Sequence, residues 1–209
     1  AKAAGAAAQE LLEEVKLTEQ DPLAKFPRTS IRIAGSGGQG VITAGEMVLD
    51  AAARAGLGGV FTKIYGPEAR GGAAYSEVIL SQGEIHFPQA DLLDVLVALT
   101  ADSFGAFRNA VAPTGKIIVN STAVSDTGGD ARVVLSPIGE LLAREVRPPK
   151  RDLGINVLAL AVAMGYTGLV SREAVTAAVM KSVGKKNPAM NQRAIEVGYR
   201  EAERLRGAG

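Results

Sequence analysis

The sequence contains no cysteine and only one histidine, His86. Without cysteine the chain can form no disulfide, and it offers neither a thiol nucleophile nor thiolate ligands for an iron–sulfur cluster. A single histidine makes a His-based metal site or a catalytic triad hard to assemble, and leaves only a lone general base open. The sequence therefore predicts no catalytic residue and no metal ligand, so redox centres would have to lie in other chains.

Charge of one sign and long apolar runs are lacking too. The 209 residues carry 23 Lys and Arg against 22 Asp and Glu, a formal net charge of +1. This balance argues against a nucleic-acid partner or a polybasic membrane surface. No apolar run approaches the roughly 18 residues that span a bilayer, and the alanine-rich start lacks the pattern of a signal peptide. These features predict a cytoplasmic protein with no nucleic-acid or membrane partner.

A glycine-rich turn stands between two regular patterns. Ile31 and Ile33 alternate with a polar residue as in a strand, and the run from Val41 to Ala52 has helical period. The unpaired amides at the start of such a helix can hold an anion, for example a phosphate. For this motif alone, a close-packed turn without a ligand is a nearly equal alternative. The turn, spaced G-x-G-x-x-G, consists of Gly35, Ser36, Gly37, Gly38, Gln39 and Gly40.

Two common nucleotide sites do not fit this turn. A dinucleotide site needs an acidic residue at the end of the second strand, whereas this strand, residues 60–64, runs into a Tyr-Gly-Pro turn. Asp50 comes too early, and Glu68 lies beyond the proline. A P-loop needs a Lys-Ser or Lys-Thr pair after the glycines, which the sequence lacks.

A second glycine-rich segment reads Tyr65-Gly66-Pro67-Glu68-Ala69-Arg70-Gly71-Gly72. Its Gly-Pro and Gly-Gly pairs impose turns at both ends of a short loop, which presents Glu68 and Arg70. Arg70 is the predicted contact for a phosphate, a carboxylate or a partner's acidic side chain, because its planar fork binds such groups bidentately. An ordinary ion pair between Glu68 and Arg70 is the alternative.

Together, the segments GSGGQGVITAG and YGPEARGG resemble the gamma subunit of the 2-oxoacid:ferredoxin oxidoreductases. That family includes the pyruvate, 2-oxoglutarate, ketoisovalerate, phenylglyoxylate and indolepyruvate enzymes. The resemblance continues through the apolar run at 94–99 and through GLVSREAVTAAV and NQRAIEVGY nearer the C-terminus. It covers about residues 30–200, and the paired motifs are far more specific than either motif alone.

The resemblance implies a subunit of a larger enzyme. Such enzymes oxidatively decarboxylate a 2-oxoacid on thiamine diphosphate with Mg²⁺, pass electrons through iron–sulfur clusters to ferredoxin, and transfer the acyl group to coenzyme A. The implied partners are thiamine-binding alpha and beta subunits and an iron–sulfur delta-type subunit. This chain would bind no cofactor alone; it would contribute assembly, with coenzyme A or a partner contacting the two glycine-rich segments. The alternatives are a stand-alone nucleotide-binding dehydrogenase domain and a purely structural assembly subunit.

A stiff basic segment, RPPKRD, occupies residues 147–152. Its two prolines lie among Arg147, Lys150 and Arg151, so the positive charges are held on a semi-rigid backbone. The segment could meet the phosphates of coenzyme A or an acidic partner surface. Because short charge clusters are weak signals, a solvated loop is favoured by about two to one.

The predicted fold is a three-layer α/β domain over residues 30–209 with a mostly parallel sheet, a mixed sheet being left open. Five or six strands alternate with helices, the last two strands being predicted at 116–120 and 132–135. Residues 1–29 are predicted to form an N-terminal helical arm and linker. The helix at 155–164 is apolar nearly all round, which predicts burial either in the core or at a subunit interface.

Overall fold

The computed structural model describes residues 28–65, 73–150 and 152–208. The predicted arm lies outside the described residues, apart from its last two positions, and its boundary with the domain stays a prediction. The strands are β1 (Thr29–Ser36), β2 (Gly58–Tyr65), β3 (Ala73–Ser81), β4 (Leu93–Ala98), β5 (Val111–Asn120) and β6 (Val133–Ser136). The α-helices are α1 (Val41–Arg54), α2 (Ala101–Phe107), α3 (Ile138–Leu141), α4 (Ile155–Thr167), α5 (Arg172–Ser182) and α6 (Pro188–Gly207).

The six strands form one sheet in the order β2-β3-β1-β4-β5-β6. The pairs β1 with β4, β4 with β5, and β5 with β6 are parallel. In contrast, β3 runs antiparallel to both β1 and β2, and it lies between the two strands that α1 connects. The α/β class is therefore confirmed, and the sheet is mixed, with one reversed strand.

The chain leaves the neighbouring strands β1 and β4 in opposite directions across the sheet. From β1 it passes through α1 to β2, and from β4 it passes through α2 to β5. The two helices lie on opposite faces of the sheet, as crossovers of one hand in opposite directions require. The carboxyl ends of β1 and β4 thus border a topological switch point, where open α/β sheets bind their ligands.

The larger core fills the face that carries α1, α3, α4, α5 and α6. Nearly every residue of α4 is buried, because α1, α3, α5 and α6 surround it. The structure thus places this apolar helix in the core of the chain, an arrangement that the sequence left open. In the described part of the chain, no helix is long and apolar enough to cross a membrane.

A buried ion pair joins β1 to β3 on the opposite face. Arg32 and Glu77 lie directly across the antiparallel pair, and Glu77 Oε2 accepts hydrogen bonds from Arg32 Nε at 3.1 Å and Nη2 at 2.5 Å. The guanidinium carbon lies 4.5 Å from the ring centroid of Tyr75 and 4.9 Å from that of Phe107. Phe107 belongs to α2, so this pair anchors the helix of the thinner layer to the sheet.

Candidate functional site

The predicted glycine turn connects β1 to α1. Gly38 and Gly40 have φ angles of +94° and +71°, in the region that side chains disfavour. Gly40 is the N-cap of α1, and it provides no side-chain hydrogen bond to the first helical amides. Gly37 and Gly38 are exposed, and the strand, turn and helix lie in the order that the sequence predicts.

The side chain of Gln39 folds back over the turn. Its Oε1 accepts a hydrogen bond from the Ser36 amide at 2.9 Å. A Cβ at Gly35 would lie 2.4 Å from that oxygen, so a larger residue at position 35 would displace the Gln39 carboxamide. The sequence identifies Gln39 as part of the motif but does not predict the direction of its side chain.

The two predicted glycine-rich segments begin at the same edge of the sheet. Ala73, the first residue of β3, pairs with Ser36, and Tyr65, the last residue of β2, pairs with Ala74. The end of β2 and the start of β3 therefore lie two strands or fewer from the glycine turn. Glu68, Arg70, Gly71 and Gly72 lie outside the described residues, and their roles stay predictions.

A cleft of about 630 Å³ opens at the switch point. Gln39 borders it after β1, Thr100 after β4, and Asn120 and Thr122 at and beyond the end of β5. Leu99, Leu142 and Ile155 supply apolar wall. The cleft therefore combines apolar surface with a few convergent polar groups, the usual makeup of a small-molecule site.

Asn120 ties together three elements at the floor of this cleft. Its Nδ2 donates to the carbonyl oxygen of Leu99 at 3.2 Å, and its Oδ1 accepts from the amides of Thr122 at 3.3 Å and Gly139 at 3.0 Å. The residue is buried, so these bonds satisfy a polar group that would otherwise be costly. Sequence reasoning gave Asn120 no role, since its partners come from three separate segments.

A smaller cleft of about 210 Å³ lies on the other side of Gln39. Gly38 and Gly40 line it together with Lys186. Asn191 Nδ2 donates to the carbonyl oxygens of Val183 at 3.0 Å and Lys186 at 2.9 Å. Asn191 therefore fixes the backbone of Lys186, a residue that lines the same cleft as Gly38 and Gly40.

Unusual backbone conformations concentrate around both clefts. Among the described residues other than glycine, Arg147, Asp152 and Asn187 have positive φ angles, of 54°, 62° and 55°. Arg147 and Asp152 line the larger cleft, and Asp152 and Asn187 line the smaller one. Such conformations cost free energy and cluster at functional sites. The basic segment, favoured by the sequence as a solvated loop, thus contributes Arg147 to the cleft wall.

Asp50 fastens α1, the helix that follows the glycine turn, to α5. Its carboxylate accepts hydrogen bonds from Lys181 Nζ at 2.5 Å and from Arg54 Nε at 2.7 Å. The bond from Lys181, followed by that from Arg54, holds the pKa of Asp50 below its ordinary value. The carboxylate is therefore charged at neutral pH, and it links the C-terminal part of α1 to the end of α5.

The described residues contain no group of three or more His, Cys, Asp or Glu side chains that could hold a metal ion. His86 is exposed and lies 3.8 Å from Glu84, far along the chain from the cleft residues. The groups that line the clefts include the Thr100 and Thr122 hydroxyls, the cationic residues Arg147 and Lys186, and the acidic residue Asp152.

Known proteins resemble this chain over most of its length. Residues 30–201 match the family model described as pyruvate ferredoxin/flavodoxin oxidoreductase. The chain is 33% identical to 2-oxoglutarate synthase subunit KorC of Methanocaldococcus jannaschii, over 85% of this chain and 96% of that protein. It is 34% identical to ketoisovalerate oxidoreductase subunit VorA of Methanothermobacter thermautotrophicus, covering 83% of this chain but only 36% of VorA.

Solved structures extend the comparison. The keto/oxoacid ferredoxin oxidoreductase gamma subunit of Geobacter sulfurreducens superposes with a TM-score of 0.76 and 31% identity, over 86% of this chain and 98% of that one. The 2-oxoglutarate:ferredoxin oxidoreductase of Magnetococcus marinus, solved with 2-oxoglutarate, coenzyme A and succinyl-CoA, shares the fold with a TM-score of 0.70 at 22% identity. The superposition covers 87% of this chain and 31% of the Magnetococcus marinus chain.

The chain belongs to the pyruvate ferredoxin/flavodoxin oxidoreductase family. Within that family it is a gamma subunit of a 2-oxoacid:ferredoxin oxidoreductase complex, as the paired glycine-rich segments predict. The prediction of an oxidoreductase that acts as a complex is confirmed, and the stand-alone dehydrogenase is not favoured.

Proposed function

We propose that the complex oxidatively decarboxylates a 2-oxoacid to an acyl-CoA and CO₂ and reduces ferredoxin. Two KorC relatives are 33% and 37% identical to this chain, against 27% for the pyruvate synthase subunit PorC, which favours 2-oxoglutarate as the 2-oxoacid. Thiamine diphosphate and Mg²⁺ would be held by alpha and beta subunits, and iron–sulfur clusters by a delta-type subunit, in the cytoplasm. The absence of cysteine from this chain supports that division, because thiolates are the usual cluster ligands.

This chain would contribute assembly and the binding of coenzyme A at the carboxyl edge of the sheet. The observation that carries the proposal is the pair of clefts at the switch point, flanked by the glycine turn and by two cations. Lys186 lies in the smaller cleft with the turn amides, where phosphate oxygens fit. The larger, partly apolar cleft, which Arg147 also lines, fits the amide-bearing arm of coenzyme A.

Lys186→Ala in the intact complex is expected to raise the KM for coenzyme A about fivefold and leave the KM for the 2-oxoacid unchanged. An exposed ion pair contributes up to about 1 kcal/mol, which corresponds to that factor. Steady-state assays with each substrate varied in turn measure both constants. Lys185→Ala is the matched control, because Lys185 is an exposed neighbour that does not line the cleft. Equal effects of the two variants would refute a specific phosphate contact.

Arg70→Ala is expected to lower 2-oxoacid oxidation by the complex without unfolding this chain. The reason is chemical: alanine offers no planar donor fork for a phosphate, a carboxylate or an acidic partner. Activity of the purified complex gives the effect, and circular dichroism of the variant chain serves as the folding control. Full activity with an unchanged dependence on coenzyme A would count against a role for this loop.

A further inference from the structure

The two clefts are compartments of one trough that is divided at Gln39. Gln39 and Asp152 line both compartments, of about 630 Å³ and about 210 Å³. Asp152 is part of the connection that leads into α4 and its carbonyl oxygen accepts from the Ile155 amide at 3.1 Å. Gln39, in contrast, reaches the partition through a flexible side chain. An extended ligand that used both compartments would have to pass this side chain.

A single hydrogen bond to a described residue holds the side chain of Gln39 in its position. Among the described residues, the hydrogen bond from the Ser36 amide to its Oε1 is the only one that its side chain makes. The side chain is half-buried, so solvent can satisfy the carboxamide once it turns away. A single neutral hydrogen bond shifts an equilibrium by roughly twofold to tenfold, so the turned-away position is thermally accessible.

The absence of a side chain at Gly35 leaves room for the Gln39 carboxamide in its position against the turn. A Cβ there would lie 2.4 Å from the Gln39 oxygen and 3.2 Å from Leu99 Cβ, so the carboxamide could not settle against the turn beside a larger residue. In this position the Gln39 oxygen accepts from the Ser36 amide, and Gln39 itself lines both clefts. The oxygen therefore occupies the place that an acceptor oxygen of a ligand would take.

We infer that Gln39 is a gate between the two compartments, closed over the Ser36 amide without a ligand and displaced when an extended anionic ligand spans the trough. This inference rests on the proposed function and adds to it a residue that competes with coenzyme A for one amide. Displacement joins the compartments and exchanges one acceptor oxygen at Ser36 for another. Gln39 thus sets a free-energy cost for ligands that span both compartments, and a ligand confined to one compartment does not bear this cost.

Titration of coenzyme A into the intact complex tests the gate with two variants. Gln39→Ala should tighten the dissociation constant twofold to tenfold, because the ligand no longer displaces an internal acceptor. Gln39→Glu should weaken it at least tenfold, because a carboxylate holds the amide more strongly and repels phosphate. Gln192→Ala and Gln192→Glu make the same changes at an exposed position of α6 and should leave the constant unchanged.

Hydrogen exchange in the segment 33–41 provides the second readout. Gln39→Ala should speed exchange of the Ser36 amide without ligand, and coenzyme A should slow it again. Unchanged or weaker binding by Gln39→Ala, while Lys186→Ala still raises the KM for coenzyme A, would overturn the gate alone. If coenzyme A fails to protect this segment in the wild-type complex and Lys186→Ala has no effect, the coenzyme A site itself fails, and the gate with it.

Discussion

Replacing Glu77 by alanine is expected to lower the free energy of unfolding by roughly 3–5 kcal/mol. The change leaves the guanidinium of Arg32, whose side chain is 14% exposed, packed against two aromatic rings without its carboxylate partner. It also removes the acceptor of the Ala90 amide. An uncompensated charge then stays in a poorly hydrated site. Chemical denaturation of the full chain, followed by circular dichroism, measures the loss.

Replacing both charges separates the lost ion pair from the lost packing. Arg32→Met combined with Glu77→Leu should be far more stable than Glu77→Ala, since an apolar pair needs no charged partner. Arg144→Ala breaks the exposed pair with Glu140 and should change the free energy of unfolding by no more than about 0.5 kcal/mol. A loss as small as this in Glu77→Ala would contradict the role given to the buried pair.

Gly198→Ala is expected to destabilise the chain by about 1–3 kcal/mol, although alanine is the better helix former. The added Cβ would lie 2.5 Å from Ala161 Cβ and 2.9 Å from the carbonyl oxygen of Leu158. Because one of these neighbours is backbone, no rotamer change relieves the contact, and α4 and α6 must move apart. Thermal unfolding of the variant chain gives the change in stability.

Gly105→Ala on α2 provides the matched control. A Cβ there meets no atom within 4 Å, so the same substitution should stabilise the chain by about 0.5–1 kcal/mol. Adding Ala161→Gly to Gly198→Ala should recover part of the loss, because it removes the shorter contact. Stabilisation by Gly198→Ala as large as by Gly105→Ala would show that the helices do not depend on this close approach.

Strong local patterns explain which elements could be predicted. The apolar run at 95–99 predicts a buried parallel strand, and β4 occupies Leu93–Ala98 between two parallel neighbours. The strand predicted at 116–120 is only the end of β5, which begins at Val111. Its first half contains Pro113 and Gly115, which suggest a turn; pairing at Leu93 and Val111 instead extends the strand.

The order of the strands could not be predicted. A strand, a helix and a second strand normally pair side by side, yet β3 separates β1 from β2. Local patterns encode that β2 and β3 are strands; their pairing depends on contacts between residues distant in the chain. The same holds for Arg32 and Glu77, which look like separate surface charges until the register of β1 and β3 places them opposite each other.

The sequence by itself determined the strand, turn and helix around Gly35 to Gly40, the second glycine-rich segment and the family. These depend on neighbours along the chain, since glycine permits positive φ and apolar period sets the element. Only the tertiary structure decided that Asn120, Arg147 and Lys186 surround the same trough, and that Gln39 closes over Ser36. Sheet pairing and helix packing bring these residues together, and no local pattern carries information about such distances.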